Sequence, residues 1–496
     1  MMLLVHLVVL RASVFLLRLL ISLLYRRHCA SKLPCVSGAL PLIGHLHKIS
    51  TDKVKLFDFI IHAGKETDKH GGLSTVWFGP IPIFILMDPD IAFSFLNSCV
   101  KKSYVYSFGS AWIGEGLVSA MPATWRRHRK LLNPSFNLQV LHGFLDIFNR
   151  QSARLVDKLG DVVGQEQEGT THVESILLDI GLDTICETAF GISNKNRTSV
   201  VAPEYKDAVG QMLDYILQRF MSVWMHWDVL YNVSSLKKKA DEACHILNKT
   251  STNILQEVAN SNSWKGNDNL SGKSYKTILE FLLKHKEESE LTDKEIKDEV
   301  DTMVIAGFDT TATQLLYAFI LLGSHPDVQE RIYNEIKEVL GDMNRDVTKD
   351  DLPKLVYIEA VIKETLRLYP VIPMIIRETE QTMKLSKYTI PAGSTFVVPI
   401  YGMNRSQAWG PDRDVFNPDR WFTPAMLPEN LATYAPFSMG KRGCIGKPYA
   451  MMTMKTTLVH VIRRFQLSAN HEALRVQMDL LLKPASGHGV TFTRRV

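Results

Sequence analysis

The chain has 496 residues, 46% of them hydrophobic, and a formal net charge of +5. This length is sufficient for a large buried core, and the small, dispersed basic excess argues against a nucleic-acid-binding protein. The six cysteines lie far apart and include no C-x-x-C pair, which argues against a disulfide scaffold or a zinc site and fits a reducing compartment. Residues 50–496 contain no repeat and no linker rich in Gly, Ser or Pro, so we predict a single large domain there.

An apolar segment opens the chain. Residues 3–25 contain sixteen Leu, Ile, Val or Phe residues, interrupted by Arg11 and Arg18. We predict that residues 1–25 are a membrane anchor, because their apolar content outweighs the cost of two arginines, and that the basic residues after it hold the chain in the cytosol. A cleaved signal peptide and a mitochondrial presequence are the alternatives. Residues 26–49, basic and punctuated by Pro and Gly, form the predicted hinge.

Two short β-strands are predicted within residues 74–97. The segment is β-branched and aromatic, is split by Gly79 and Pro80, and is closed by Asp88 and Pro89. The chain that follows is dominated by helical periodicity. The sequence therefore predicts a mainly α fold with a small β-rich lobe.

A basic helix is predicted around residues 125–130 (WRRHRK). Trp125 and Arg129 stand at i and i+4, so these two donors lie on one face of the helix. A solvated basic face is the alternative interpretation of such a run of charge. The remaining basic side chains of this helix are available for a basic surface.

A long helix is predicted to begin at Thr292, where T-D-K-E forms a capping box, and to end before Pro326. Midway along it, Gly307 costs about 1 kcal/mol relative to alanine. We expect its missing side chain to leave space beside the helix. Asp309 and Thr310 follow, and their side chains can bond back to the helix backbone.

Opposite charges follow after this helix. Glu364 and Arg367 stand at i and i+3, and Arg420 supplies a second arginine further along the chain. A planar guanidinium can bridge carboxylate and carbonyl groups, so a structural role is expected for these residues. Arg377 follows an apolar segment that is broken by proline.

A single cysteine lies in a glycine-punctuated turn near the C-terminus, Phe437–Gly446 (FSMGKRGCIG), which leads into a helix. Glycines allow a flat ligand to approach the main chain while amide N–H groups point at the sulfur of Cys444, which would stabilise a thiolate. A buried structural cysteine is the alternative.

This turn matches F-x-x-G-x-R-x-C-x-G at all five fixed positions and resembles the haem-binding loop of the cytochrome P450 family. W-x-x-x-R, A-G-x-D-T-T and E-x-x-R precede it in the family's order. The resemblance implies a P450 fold with a long central helix over haem b. It implies the following residues: Cys444 as the axial thiolate ligand of the iron; Phe437 and Gly446 beside the haem; Trp125, Arg129, Arg377 and Arg442 at its propionates; Asp309 and Thr310 in proton delivery; and a structural triad of Glu364, Arg367 and Arg420.

The resemblance also implies a function. A P450 of this kind is a haem-thiolate monooxygenase that inserts one oxygen atom into a lipophilic substrate, a fatty acid, hormone or xenobiotic. Electrons come from NADPH through a flavoprotein reductase or a b-type cytochrome, docked on basic residues: Arg126, Arg127, Lys130, Lys441 and Lys447. The expected location is the endoplasmic reticulum membrane, with the catalytic domain in the cytosol and no nucleic-acid partner. A haem-thiolate isomerase or dehydratase acting on lipid peroxides, and a haem sensor or carrier, are the alternatives.

Three finer expectations concern particular segments. Residues 299–311 resemble the fatty-acid ω-hydroxylase branch and its insect relatives. That branch commonly has a glutamate, which can form an ester with the haem, where this chain has Ala306. We therefore expect a haem that is held non-covalently apart from its bond to Cys444.

The aromatic segment 215–231 is either plain core or, by resemblance, a pocket roof and membrane-dipping surface. Residues 261–275 are predicted to be a polar, mobile loop.

Overall fold

The computed structural model describes residues 2–165, 170–171, 173–193, 200–261, 277–288 and 290–495. The predicted loop at 261–275 lies outside these residues from position 262 onward. The chain divides into two compact units. The first comprises Met1–Ser103, Pro373–Arg413 and Pro428–Gly443, and the second comprises Tyr104–Ile372, Asp414–Leu427 and Cys444–Val496.

Helices dominate the described residues, as predicted. They are α1 (Met2–Ala30), α2 (Lys53–Lys69), α3 (Pro89–Ser98), α4 (Ser110–Ile113), α5 (Pro122–Leu132), α6 (Leu138–His142), α7 (Leu145–Gln165), α8 (Glu174–Phe190), α9 (Tyr205–Met221), α10 (Asp228–Asn232), α11 (Ser235–Ser261), α12 (Ile278–Glu287), α13 (Asp293–Ser324), α14 (Pro326–Leu340), α15 (Val356–Leu368), α16 (Ile400–Met403) and α17 (Lys447–Ile462). The mainly α fold is confirmed.

The strands are short. They are β1 (Leu73–Phe78), β2 (Ile81–Leu86), β3 (Thr170–Thr171), β4 (Ile375–Glu378), β5 (Met383–Leu385), β6 (Tyr388–Ile390), β7 (Thr395–Val398), β8 (Phe465–Ala469), β9 (Arg475–Asp479), β10 (Leu481–Ser486) and β11 (Val490–Arg494). β1 and β2 are the two strands predicted from the sequence, and they pair in antiparallel fashion around the turn at Gly79 and Pro80.

The first unit is built on a four-stranded sheet with the order β1-β2-β7-β4. β2 and β7 are parallel, whereas the two outer pairs are antiparallel. Phe84, Phe95 and Phe396 pack their rings at the centre of this unit, with centroids 4.5–5.0 Å apart. The end of α1 is attached to the same unit, because Arg26 Nη1 donates to the Gly393 carbonyl at 2.8 Å. α1 continues past residue 25, and the anchor, hinge and single-domain boundaries stay predictions.

The second unit is organised around α13, which is capped as predicted. Thr292 accepts from the Glu295 N–H at 3.2 Å, and the Glu295 carboxylate accepts from the Thr292 N–H at 2.9 Å. Gly307 lies where α8 crosses closely, because a Cβ there would come within 2.5 Å of Ile185. The space that we expected beside Gly307 is thus filled by a neighbouring helix.

α13 is long and apolar enough to cross a membrane by length and composition alone. Of the apolar 18-residue stretch of α13, 78% is buried inside the protein. α13 is therefore the core helix of the second unit.

Candidate functional site

The cysteine turn has a strained geometry that glycine relieves. Gly440 has a φ of 72°, and a Cβ on it would lie 2.6 Å from the carbonyl oxygen of Leu96. Ser438 also adopts a left-handed conformation, with a φ of 61°. The turn that Phe437 opens therefore packs closely against α3 within the first unit. A side chain at position 440 would clash there, which explains the glycine.

The turn delivers Cys444 to the start of α17. Cys444 as a whole residue is exposed, but protein atoms closely surround its sulfur. This burial raises the pKa of the Cys444 thiol, while the N–H groups of Gly446 and Lys447 and the charge of Arg129 oppose the rise. Those N–H groups and that charge are the stabilisation that a thiolate needs. A cation bound at the sulfur would add to this stabilisation.

α5 supplies the second group of predicted residues. Trp125 is buried, and Arg129 is half-buried and near enough to Cys444 to influence its thiol. Arg129 Nε donates to Asn133 at 2.8 Å. Arg127 lies on another side of the helix, where it forms an ion pair with Glu295 of α13 and donates to the Glu290 carbonyl at 2.7 Å.

The remaining predicted cations lie in the first unit. Arg377, on β4, is 1% exposed and Arg442 is 8% exposed. A third basic residue, Lys102, forms a β-bridge with Arg377. Burial and the charges of Arg377 and Arg442 hold the pKa of Lys102 well below its ordinary value. Buried arginines of this kind can bind an anionic group such as a carboxylate. The sequence reasoning missed Lys102 because no motif marks it.

α13 carries the predicted proton-delivery residues on adjacent faces. Asp309 is 4% exposed and forms an ion pair with Lys483 of β10, whose Nζ also donates to Thr313 at 2.8 Å. The Thr310 hydroxyl donates to the Ala306 carbonyl at 2.8 Å. Ala306 is exposed and Thr310 partly so on a helix that is otherwise mostly buried, so these residues face open space. Lys483 was also missed, because it lies 174 residues from Asp309.

The structure brings together Glu364, Arg367 and Arg420. Glu364 accepts from Arg367 at 2.8 and 2.9 Å and from Arg420 at 2.9 Å. All three are 0% exposed. Glu364 also accepts from the N–H of Asn417 and from the indole of Trp421, both at 3.1 Å. This carboxylate therefore ties α15 to the segment around Arg420.

Comparisons with known proteins decide the family. The family model described as "Cytochrome P450" matches residues 34–492. The chain belongs to the cytochrome P450 family. This P450 is 32% identical to cytochrome P450 4V2 of Rattus norvegicus, over 97% of this chain and 93% of the rat protein. It is 31% identical to cytochrome P450 4c3 of Drosophila melanogaster, over 92% of this chain and 88% of the fly protein.

A solved structure supports the same fold. The crystal structure of a cytochrome P450, CYP102L1, matches with a TM-score of 0.78 and 20% identity, covering 93% of this chain and 99% of that one. Members of the family are haem-thiolate oxidoreductases, so this P450 is an oxidoreductase whose family implies a haem cofactor. The donor set fits that group, because a cysteine with amide support suits a haem iron and the buried cations suit carboxylates.

Proposed function

We propose that this P450 is a monooxygenase that inserts one atom of dioxygen into a C–H bond of a lipophilic substrate. The observation that carries the proposal is the ion pair between Asp309 and Lys483. Asp309 directly precedes Thr310 on α13. Oxygen insertion consumes protons, whereas isomerisation of a peroxide does not. A buried acid beside an accessible hydroxyl is a device for delivering protons, which favours the monooxygenase.

The site residues would have separate roles in haem binding and proton delivery. Bound haem supplies the oxygen chemistry, and Cys444 would hold its iron through the thiolate. Trp125, Arg129, Arg377 and Arg442 would bind the propionates, and Lys102 adds a fifth donor. Thr310 would hold a proton at its hydroxyl on the open face of α13. Asp309 would move protons to it when its carboxylate leaves Lys483.

The substrate side favours lipids and a membrane. Trp224 and Trp227 are 59% and 66% exposed, whereas Leu217 and Tyr231 in the same aromatic segment are buried. The segment is thus core on one side and an apolar surface on the other, which fits contact with a bilayer. Together with α1 as an anchor, this supports a place on the endoplasmic reticulum membrane. Liposome flotation tests it: replacing both tryptophans with Ser should weaken binding.

Electrons would come from NADPH through a flavoprotein reductase, with a b-type cytochrome as an additional donor. Lys441 and Lys447 flank Cys444 in the chain and are exposed, and Arg126 is exposed on α5. Rim charges of this kind mainly govern the rate of association. Charge reversal at these three positions should slow reduction at low salt and leave peroxide-driven turnover unchanged.

Product analysis tests the function directly. The P450 is incubated with NADPH, a reductase and a panel of fatty acids and other lipids under labelled dioxygen. One labelled oxygen atom per product molecule, dependent on NADPH, is the expected result. Turnover of lipid peroxides without NADPH would establish the isomerase or dehydratase instead. Haem binding with no turnover of either kind would favour a sensor or carrier.

A further inference from the structure

A buried ion pair joins α5 to α13. His128 Nδ1 lies 2.7 Å from Glu299 Oε1, and the two side chains are 1% and 0% exposed. The other carboxylate oxygen of Glu299 accepts from the N–H of Leu117 at 3.2 Å. The proposed reaction uses neither side chain, and both are too deeply buried to contact a solvent-borne partner.

Charged groups surround this pair on both helices. Glu295 lies 3.5 Å and Arg127 Nη2 lies 3.4 Å from His128 Nε2, and Asp298 is next to Glu299 on α13. Burial alone would lower the pKa of His128, but the hydrogen bond and charge of Glu299, together with Glu295, outweigh it and raise the pKa. Burial raises the pKa of Glu299, and the hydrogen bonds from His128 and Leu117 only partly oppose this. Both pKa values are therefore shifted in the direction that favours the protonated forms.

Helix geometry links His128 to the donors on α5. At 3.6 residues per turn, His128 lies about 60° around the helix axis from Trp125 and about 100° from Arg129. A short bond from His128 to a fixed point on α13 therefore sets the rotation of α5. That rotation decides where the indole of Trp125 and the guanidinium of Arg129 point.

We propose that His128 and Glu299 are positioning residues that orient Trp125 and Arg129 of α5 toward the haem propionates. The inference rests on the proposed function, in which those two side chains bind the cofactor. Neither positioning residue touches the haem itself. Their effect is on how firmly the haem is held.

The rate of haem transfer from the full-length holoenzyme to excess apomyoglobin measures this hold. Glu299→Gln keeps the shape of the side chain and its acceptor for Leu117, and His128→Gln removes the other partner. Each substitution should speed haem transfer at least about tenfold, as when a residue that orients a metal ligand is lost. The double variant should be no faster than the faster single variant, because both substitutions remove one interaction.

Arg127→Gln is the matched control. It breaks an ion pair between the same two helices, but Arg127 is 45% exposed. Its transfer rate should stay within about twofold of the wild-type rate, because exposed pairs contribute little. Wild-type rates for both His128→Gln and Glu299→Gln, or an equal acceleration in Arg127→Gln, would overturn the proposal.

The pH profile separates positioning from general destabilisation. As the pH falls through the raised pKa of Glu299, its carboxylate becomes protonated and the bond to His128 loses its charge assistance, so haem transfer accelerates. Glu299→Gln has no carboxyl to titrate there, and its profile should lack this step. A step of equal size in both proteins would assign it to other groups and contradict the proposal.

Arg129→Gln and Trp125→Phe distinguish a failure of the positioning role from a failure of the propionate assignment. If these variants release haem faster but Glu299→Gln and His128→Gln do not, the propionate assignment stands and the positioning role is wrong. If all four release haem at the wild-type rate, α5 does not bind the propionates, and the positioning role falls with that assignment.

Discussion

Lys483 and Asp309 form an ion pair across 174 residues, and the lysine also donates to Thr313. The carboxylate is 4% exposed, so Lys483 is what compensates its charge. A buried carboxylate without a cation takes up a proton and holds it. Lys483 thus supplies the opposite charge beside Asp309 and holds its carboxylate in place on α13.

Lys483→Met should therefore impair proton delivery. We expect product formation to fall about a hundredfold, the lower end of the range for loss of an acid–base group, with cofactor binding unchanged. The measurement is product formed per NADPH consumed, with hydrogen peroxide as the uncoupled product. Lys483→Arg, which keeps the charge, should retain most coupling. Normal coupling in Lys483→Met would remove the pair from the proton path.

Cys444→Ser should abolish the absorption band of the reduced carbon monoxide complex from which the family takes its name. A neutral oxygen cannot replace the electron donation of a thiolate. The variant retains the N–H groups of Gly446 and Lys447, so the turn itself should fold. A retained band would show that another residue ligates the iron.

Glu364→Gln should destabilise the protein by about 3–5 kcal/mol, because it leaves Arg367 and Arg420 buried beside a neutral group. Asp419→Asn is the control, since it breaks the exposed pair with Arg331. Its cost should be at most about 1 kcal/mol. Unfolding midpoints of the two variants compare these costs directly, and equal shifts would contradict a structural role for the triad.

Asp301 predicts a dependence of stability on pH. Burial raises its pKa from 3.8 to about 6, against the opposing charge and hydrogen bond of Lys297. The folded state thus binds the extra proton, so this group's contribution to stability is complete below about pH 3.8 and is lost as the pH rises through about 6. The free energy of unfolding of Asp301→Asn should therefore increase relative to that of the wild type as the pH rises, by up to the order of 3 kcal/mol.

Unfolding midpoints of Asp301→Asn and wild type at about pH 5 and about pH 7.5 check this prediction. The difference between the two proteins should favour the variant more at the higher pH. A difference that does not change with pH would show that Asp301 ionises normally in the folded protein.

Ala306 predicts how the haem is retained. A methyl group cannot form an ester, so acidified organic solvent should extract all haem from denatured protein. The exposed position of Ala306 on the face shared with Thr310 makes Ala306→Glu the informative variant. A fraction of its haem should stay with the polypeptide after turnover. Haem that stays with the wild-type chain would reveal another attachment.

Local patterns predicted much of this fold. The capping box at Thr292 placed the start of α13 correctly, and Gly79 and Pro80 placed the turn between β1 and β2. These features depend on residues that are neighbours in the chain. The family motifs in turn predicted Cys444 as the iron ligand, and the N–H groups near its sulfur belong to residues that follow it closely in the chain.

Long-range partners could not be predicted in the same way. Lys483 has no motif, and its pairing with Asp309 depends on where the β9–β10 hairpin returns to α13. His128 was noticed only as one more basic residue of α5, although it is among the most deeply buried polar side chains. Gly307 was assigned to open space because its neighbour Ile185 comes from a distant segment.

The parallel pairing of β2 with β7 bears on how the protein is made. Ile83 pairs with Thr395. One hydrogen-bonding edge of β2 therefore stays unpaired until β7 is synthesised, about 300 residues later. At roughly 5–20 residues per second, the ribosome needs about 15–60 s to supply it. During that interval an apolar strand edge is open to other chains. Slower growth at low temperature, or a chaperone that covers nascent strands, should therefore increase the yield of folded protein.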